Sequence, residues 1–91
     1  MTRYIEQTNI FKRQVKLAQK RGKDIDKLKI VIQHLSQDNS LAIEYRDHKL
    51  IGNFGGCREC HIEPDWLIIY RLTDDGGLEL IETGTHADLF N

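Results

Sequence analysis

Cys57-Arg58-Glu59-Cys60-His61-Ile62-Glu63-Pro64-Asp65-Trp66-Leu67-Ile68-Ile69-Tyr70-Arg71-Leu72-Thr73-Asp74-Asp75-Gly76-Gly77-Leu78-Glu79-Leu80-Ile81-Glu82-Thr83 carries the pattern that decides the fold. Cys57 to Glu63, Trp66 to Leu72 and Leu78 to Thr83 are short runs with the β-branched, aromatic and aliphatic content of strands. Pro64-Asp65 and Asp74-Asp75-Gly76-Gly77 supply turn chemistry between them. Strands joined by links this short must run antiparallel, so the stretch predicts a meander.

Working outward, the period changes from extended to helical. Tyr4-Ile5 suits a short first strand, and Thr8 or Asn9 can cap a helix that Gly22 ends. On that helix Phe11, Val15 and Ala18 share one face, while Lys12, Arg13, Lys16 and Lys20 share the opposite one. A second helix begins near Asp24 or Asp26, with Leu28, Val31, Ile32 and Leu35 at i, i+3, i+4, i+7 spacing. The fold class is therefore α+β: two N-terminal helices packed on one face of a small, mainly antiparallel sheet. From Ser36 to Gly56 the pattern breaks, with Leu41, Ile43, Leu50, Ile51 and Phe54 as expected anchors into the core. With 91 residues the chain has room for one domain, spanning 1–91.

Composition narrows the function. Hydrophobic residues at 40% and charged residues at 30% fit a soluble globular chain. No apolar run approaches the roughly 20 residues that span a bilayer, and the first residues lack the apolar run of a secretion signal. No membrane partner and a cytoplasmic location are expected. The net charge of −1 conceals an asymmetry: residues 1–30 hold nine Lys/Arg against three Asp/Glu, and residues 59–91 hold one against eight. A basic N-terminal third suggests a phosphate-rich or acidic partner.

The polar residues converge at one sheet edge. Pairing Trp66 to Leu72 with Leu78 to Thr83 around a turn centred between Asp75 and Gly76 sets Trp66 opposite Thr85 and Asp65 opposite His86. Alternation sends Glu59, His61 and Glu63 to one side and Arg58, Cys60 and Ile62 to the other, so His61 joins that edge. His48, on the loop before the sheet, is within reach. Thr85-His86-Ala87-Asp88 has the form of a capping box and predicts a final helical turn carrying Phe90. Such a cluster suits RNA cleavage without metal, in which the substrate's own 2′-hydroxyl attacks its phosphate. Histidine serves as base or acid because its unperturbed pKa is about 6.5. Asp65 can act as a base or orient a histidine, and Trp66 or Phe90 can stack on an unpaired base; the alternatives are a core place for Trp66 and a Phe90 that only pins down the terminus. His34 lies off the apolar stripe of its helix and is expected at the surface.

The run His48-Lys49-Leu50 with Gly52, then His61-Ile62-Glu63-Pro64-Asp65-Trp66-Leu67-Ile68-Ile69-Tyr70, then Thr83-Gly84-Thr85-His86-Ala87-Asp88-Leu89-Phe90, resembles the YafQ branch of the RelE superfamily of bacterial toxins. Lys16-Leu17-Ala18-Gln19-Lys20-Arg21 is similar too. The resemblance implies the RelE-like microbial RNase fold. It implies an endoribonuclease that cuts mRNA in the ribosomal A site and so arrests translation. It also implies a cognate antitoxin of the DinJ kind that represses the operon, so operator DNA is reached only indirectly. The family's functional positions fall on His48, His61, Asp65, Trp66, His86 and Phe90. Within that set His86 is expected as general acid, Asp65 or His48 as base, and His61 as a phosphate-stabilising partner. Lys12, Arg13, Lys16, Lys20 and Lys49 are the candidates for RNA backbone contacts. No cofactor and no metal are expected.

Two rival readings remain. Cys57-Arg58-Glu59-Cys60-His61 matches the C-x-x-C-H signature of haem attachment. The chain offers no signal for export, and its one methionine, Met1, is no obvious second axial ligand. A zinc site is disfavoured because residues three apart on a strand point to opposite faces. The expectation is a buried Cys60 and a rim Cys57. The other rival is a non-catalytic basic module that only represses or sequesters.

Overall fold

A computed structural model describes residues 2–39, 45–50 and 54–90. The elements, in order, are β1 (Tyr4–Gln7), α1 (Asn9–Lys20), α2 (Ile25–Ser36), β2 (His48–Lys49), β3 (Arg58–Glu63), β4 (Trp66–Leu72), β5 (Gly77–Gly84) and α3 (His86–Phe90). The strands form one sheet in the order β1-β5-β4-β3-β2. The expected meander is its centre. β1 is added parallel to β5 at one edge, and β2 antiparallel to β3 at the other. Leu41, Ile43 and Ile51 lie outside the described residues, and Leu50 and Phe54 are half-buried.

Local chemistry fixes the helices. The Thr8 side chain accepts from the Phe11 amide at 2.9 Å, satisfying one of the donors that a helix start leaves free. Gly22, at φ 82, ends α1: its amide donates to Gln19 O, and the Lys23 amide donates to Ala18 O. That paired return is the Schellman arrangement, and its left-handed residue is best filled by glycine. The Asp24 side chain caps α2 through the Asp26 amide at 3.0 Å. Phe11, Ala18, Leu28, Val31 and Leu35 then bury against Cys60, Ile62, Trp66, Ile68, Tyr70, Leu78 and Leu80. Alternation leaves Glu59, His61, Leu67 and Ile69 on the opposite face, where all four are nonetheless buried.

The pairing of β4 with β5 departs from a regular ladder in one place. Leu72 pairs with Leu78 and Tyr70 with Leu80, a register one residue tighter than expected, but Ile69 pairs with Glu82 and Leu67 with Gly84 as expected. Ile81 is the extra residue of a bulge. Side chains around α1 take up the backbone groups near it: the Thr8 hydroxyl donates to Ile81 O at 2.7 Å, and the Thr83 amide donates to Gln14 Oε1 at 2.8 Å. The bulge restores the register that carries the end of β5, and with it His86, to Asp65.

Candidate functional site

The site is built on the sheet face turned away from α1 and α2. Asp65 closes the β3–β4 turn, and its Oδ1 accepts from both the His86 amide at 3.0 Å and His86 Nδ1 at 2.9 Å. An ionised carboxylate only accepts, so the imidazole proton sits on Nδ1, and Nε2 is the ring atom left for chemistry. α3 is held in place from several sides. Thr85 and Asp88 form the expected capping box, with the Thr85 amide donating to Asp88 Oδ2 at 3.0 Å and the Asp88 amide donating to the Thr85 hydroxyl at 3.1 Å. Arg21 of the α1 C-cap donates to the same Asp88 oxygen at 2.8 Å. Gly84 permits this closeness, since a Cβ there would meet Asp88 at 3.0 Å.

A second chain of contacts leads from His86 across β3 to β2. The His61 and His86 rings lie 5.5 Å apart, edge to face. His61 Nε2 is 3.2 Å from Glu59 Oε1, and the other oxygen of Glu59 is 3.6 Å from His48 Nε2. Glu59 is only 4% exposed, a buried carboxylate held between two imidazoles. Among the described residues His61 Nδ1 is the one buried side-chain nitrogen or oxygen without a hydrogen-bond partner. His48 Nδ1 is 2.6 Å from Arg46 O, which fixes its proton on Nδ1 and leaves Nε2 toward the cluster. A cleft of about 380 Å³ runs along His61, lined also by Tyr45, Arg46, Ile62, Glu63 and Pro64.

His48, His61, Asp65 and His86 are thus brought together. His48 sits on β2, paired with Glu59, rather than on a loop. Phe90 is exposed beside the cluster, 6.3 Å from His86 and edge-on to Phe54 at 5.9 Å. Trp66 requires a correction. It lies on the helix-facing side at 1% exposure and donates its indole N–H to Thr83 Oγ1 at 3.1 Å, so its face is not free to stack on a base. Lys12, Arg13, Lys16 and Lys20 are exposed on α1, which packs on the other face of the sheet from the histidine cluster. Lys49 is exposed on β2 and leaves by the face opposite His48. Glu59 and Arg46 were not singled out in the sequence. Glu59 was legible as a neighbour of His61 on one strand face; Arg46 had no signal beyond two residues' distance from His48.

Cys60 is packed in the core on the face opposite His61, and burial pushes its thiol well above the usual range. Cys57 is half-buried, and both thiols are free. The C-x-x-C-H spacing therefore presents no common face for a haem. Glu59, His61 and His86 each offer a donor atom, all within 4.8 Å of one another, so a metal ion has a place to bind.

Hydrogen bonds from the His86 amide, and then from its side chain, hold the Asp65 carboxyl below its usual 3.8. Asp88 is lowered as well, first by the Thr85 amide and then by Arg21. A depressed folded value means that these bonds contribute their stability fully above the unfolded pKa and lose it as pH falls through the lower folded one. The His86 amide resonance followed by NMR is expected to move with a midpoint below pH 3.8, and the transition is expected to vanish in Asp65→Asn. A midpoint at or above 3.8 would contradict the pairing.

The sequence model described as "Bacterial toxin of type II toxin-antitoxin system, YafQ" matches residues 3–91. The chain belongs to the YafQ toxin family. The mRNA interferase toxin YafQ of Escherichia coli K12 is 47% identical over 89 residues, covering 97% of this chain and 96% of that one. The toxin in the E. coli DinJ–YafQ toxin–antitoxin complex superposes with a TM-score of 0.91 at 46% identity, over all of both chains. A metal-bound toxin from Helicobacter pylori superposes with a TM-score of 0.91 at 35% identity, over 97% of this chain and 99% of that one. These relatives are consistent with the RelE-like placement, helices against a mainly antiparallel sheet. Among the described residues no helix is long and apolar enough to cross a membrane.

Proposed function

We propose that this YafQ-family chain is the toxin of a type II toxin–antitoxin pair, a ribosome-dependent endoribonuclease that cuts mRNA in the A site and arrests translation in the cytoplasm. The observation that carries the reading is the Asp65–His86 pair standing beside the His61–Glu59–His48 chain on one sheet face. In the reaction, His48 Nε2 takes the proton of a ribose 2′-hydroxyl as its oxygen bonds to phosphorus. The bond from phosphorus to the 5′-oxygen breaks, and His86 Nε2 protonates that leaving oxygen. Asp65 keeps His86 in the right tautomer and stabilises its imidazolium, which its lowered pKa favours over a role as base. His61 and Arg46 face the phosphate charge, and Phe90 stacks on a base next to the cut.

The basic stripe of α1, being behind the sheet, serves ribosomal RNA phosphates rather than the scissile one. A DinJ-like antitoxin is the inhibitory partner, supported by the relative's complex. Two imidazoles and a carboxylate suit zinc or copper. An ion held there supplies Lewis acidity while occupying lone pairs that acid–base work needs. The side chains alone carry the reaction.

A reconstituted translation mixture tests it. The mRNA is expected to be cut only when ribosomes are present, leaving a 5′-hydroxyl on the downstream fragment. The rate is expected to be unchanged by a chelator selective for transition metals, which spares the magnesium that ribosomes need. Equal cutting of naked mRNA would remove ribosome dependence; activity lost to the chelator and restored by zinc would remove the metal-free mechanism.

A further inference from the structure

β2 is two residues long; among the described residues it pairs with β3 through His48 with Glu59 and Lys49 with Arg58, and the Leu50 amide just beyond it donates to Cys57 O at 3.0 Å. An edge strand that short is marginal on its own. Yet it delivers His48 to a definite place, and the reason lies on the other side of the sheet. Asp47, one residue before His48, sends its side chain to the helix-facing side. There the Tyr70 hydroxyl donates to Asp47 Oδ1 at 2.6 Å, and Arg58 Nε donates to the same oxygen at 3.2 Å. Arg58 Nε also lies 3.3 Å from the Tyr70 oxygen, which closes the three groups into a ring of contacts. Tyr70 is the rigid member: its ring is in the core at 1% exposure, on the central strand β4. Burial, and then the bond to Asp47, push its hydroxyl well above the usual range, so it remains a donor.

The chain on the other flank of Asp47 is just as constrained. Arg46 stands at φ 49, a left-handed conformation that costs free energy in a residue with a side chain, and in doing so it turns its carbonyl onto His48 Nδ1. Backbone strain of that kind persists where neighbouring contacts hold it.

We infer that Tyr70, Asp47 and Arg58 are positioning residues that clamp β2 from behind the sheet and so set the His48 imidazole against Glu59 for proton transfer. None of the three touches the reacting atoms, and all act through His48. The inference rests on the reading of His48 as part of the site.

Tyr70→Phe keeps the ring and deletes only the hydroxyl. It is expected to lower kcat by tenfold to about 10²-fold, the scale set by small misplacements of a catalytic group, with KM unchanged. Asp47→Asn, at a more exposed position, is expected to act in the same direction. In a His48→Ala background neither substitution is expected to reduce the residual rate further, because the group that they place is gone. A purely structural role would lower the folded fraction equally in both backgrounds, so losses that multiply with His48→Ala would overturn the clamp. Full activity in both Tyr70→Phe and Asp47→Asn, with His48→Ala inactive, would overturn the clamp and leave the site standing. Full activity of His48→Ala would bring down the site reading and the clamp together. If Tyr70→Phe does not fold, Asp47→Asn alone decides by the same comparison.

Discussion

His86→Ala is expected to lower ribosome-associated mRNA cleavage by about 10²- to 10⁴-fold, the range that a positioned proton donor contributes. It is expected to do so without unfolding the chain. The His86 side chain is 53% exposed, and its backbone amide, which the substitution keeps, supplies one of its two hydrogen bonds to Asp65. Asp88 still closes the cap on Thr85, and Arg21 still ties α3 to the end of α1. Growth arrest should disappear while binding of a DinJ-like antitoxin stays near its original strength. The pH–rate profile should lose the limb that reports the acid, a change that no loss of folded protein produces. Cleavage at the normal rate, with both limbs intact, would show that His86 is not the acid and would leave Asp65 with no role but capping.

How much of this arrangement was legible depended on whether local chemistry or long-range packing decided it. The helices were written in Thr8, Gly22 and Asp24 and in two apolar stripes, and the structure follows them closely. The antiparallel centre followed from short links. β1 was expected as a strand, but its parallel place beside β5 was not, because that pairing joins segments some seventy residues apart and leaves no local trace. The meeting of Asp65 with His86 was foreseen from a single uniform register. The protein reaches it differently, with a tighter turn corrected by a bulge at Ile81 that is tied to Thr8 and Gln14. In the sequence Glu59, a carboxylate alternating with histidine, reads as part of an exposed polar face; it is buried because that face, carrying Leu67 and Ile69, is itself covered. An aromatic at position 66 reads equally as a base-stacking surface or a core residue, and parity along β4 decides for the core, with Ile68 and Tyr70.

The Trp66 assignment makes the second large prediction. Removing a buried indole leaves a cavity, and Trp66→Ala should cost about 3–5 kcal/mol. A domain of this size has of the order of 5–15 kcal/mol in total, so the midpoint of thermal unfolding should fall by more than about 10 °C. Trp66→Phe retains a ring on the same strand and loses chiefly the bond to Thr83 Oγ1, worth about 1 kcal/mol, together with the packing of the larger indole. Thr83 is not left unpaired by that change, since its hydroxyl still donates to Leu67 O at 2.6 Å. The Phe variant should therefore cut mRNA at close to the original rate per folded molecule, with KM unchanged. An indole that stacked on substrate predicts the reverse: an affinity loss of about 1–3 kcal/mol in the Ala variant and little change in melting temperature. Trp66 is the only tryptophan in the chain, so its fluorescence reports on this position alone. Emission should resist acrylamide quenching in the free protein and stay the same when RNA is added. Strong quenching, or a large spectral shift on binding RNA, would place the indole at the substrate after all.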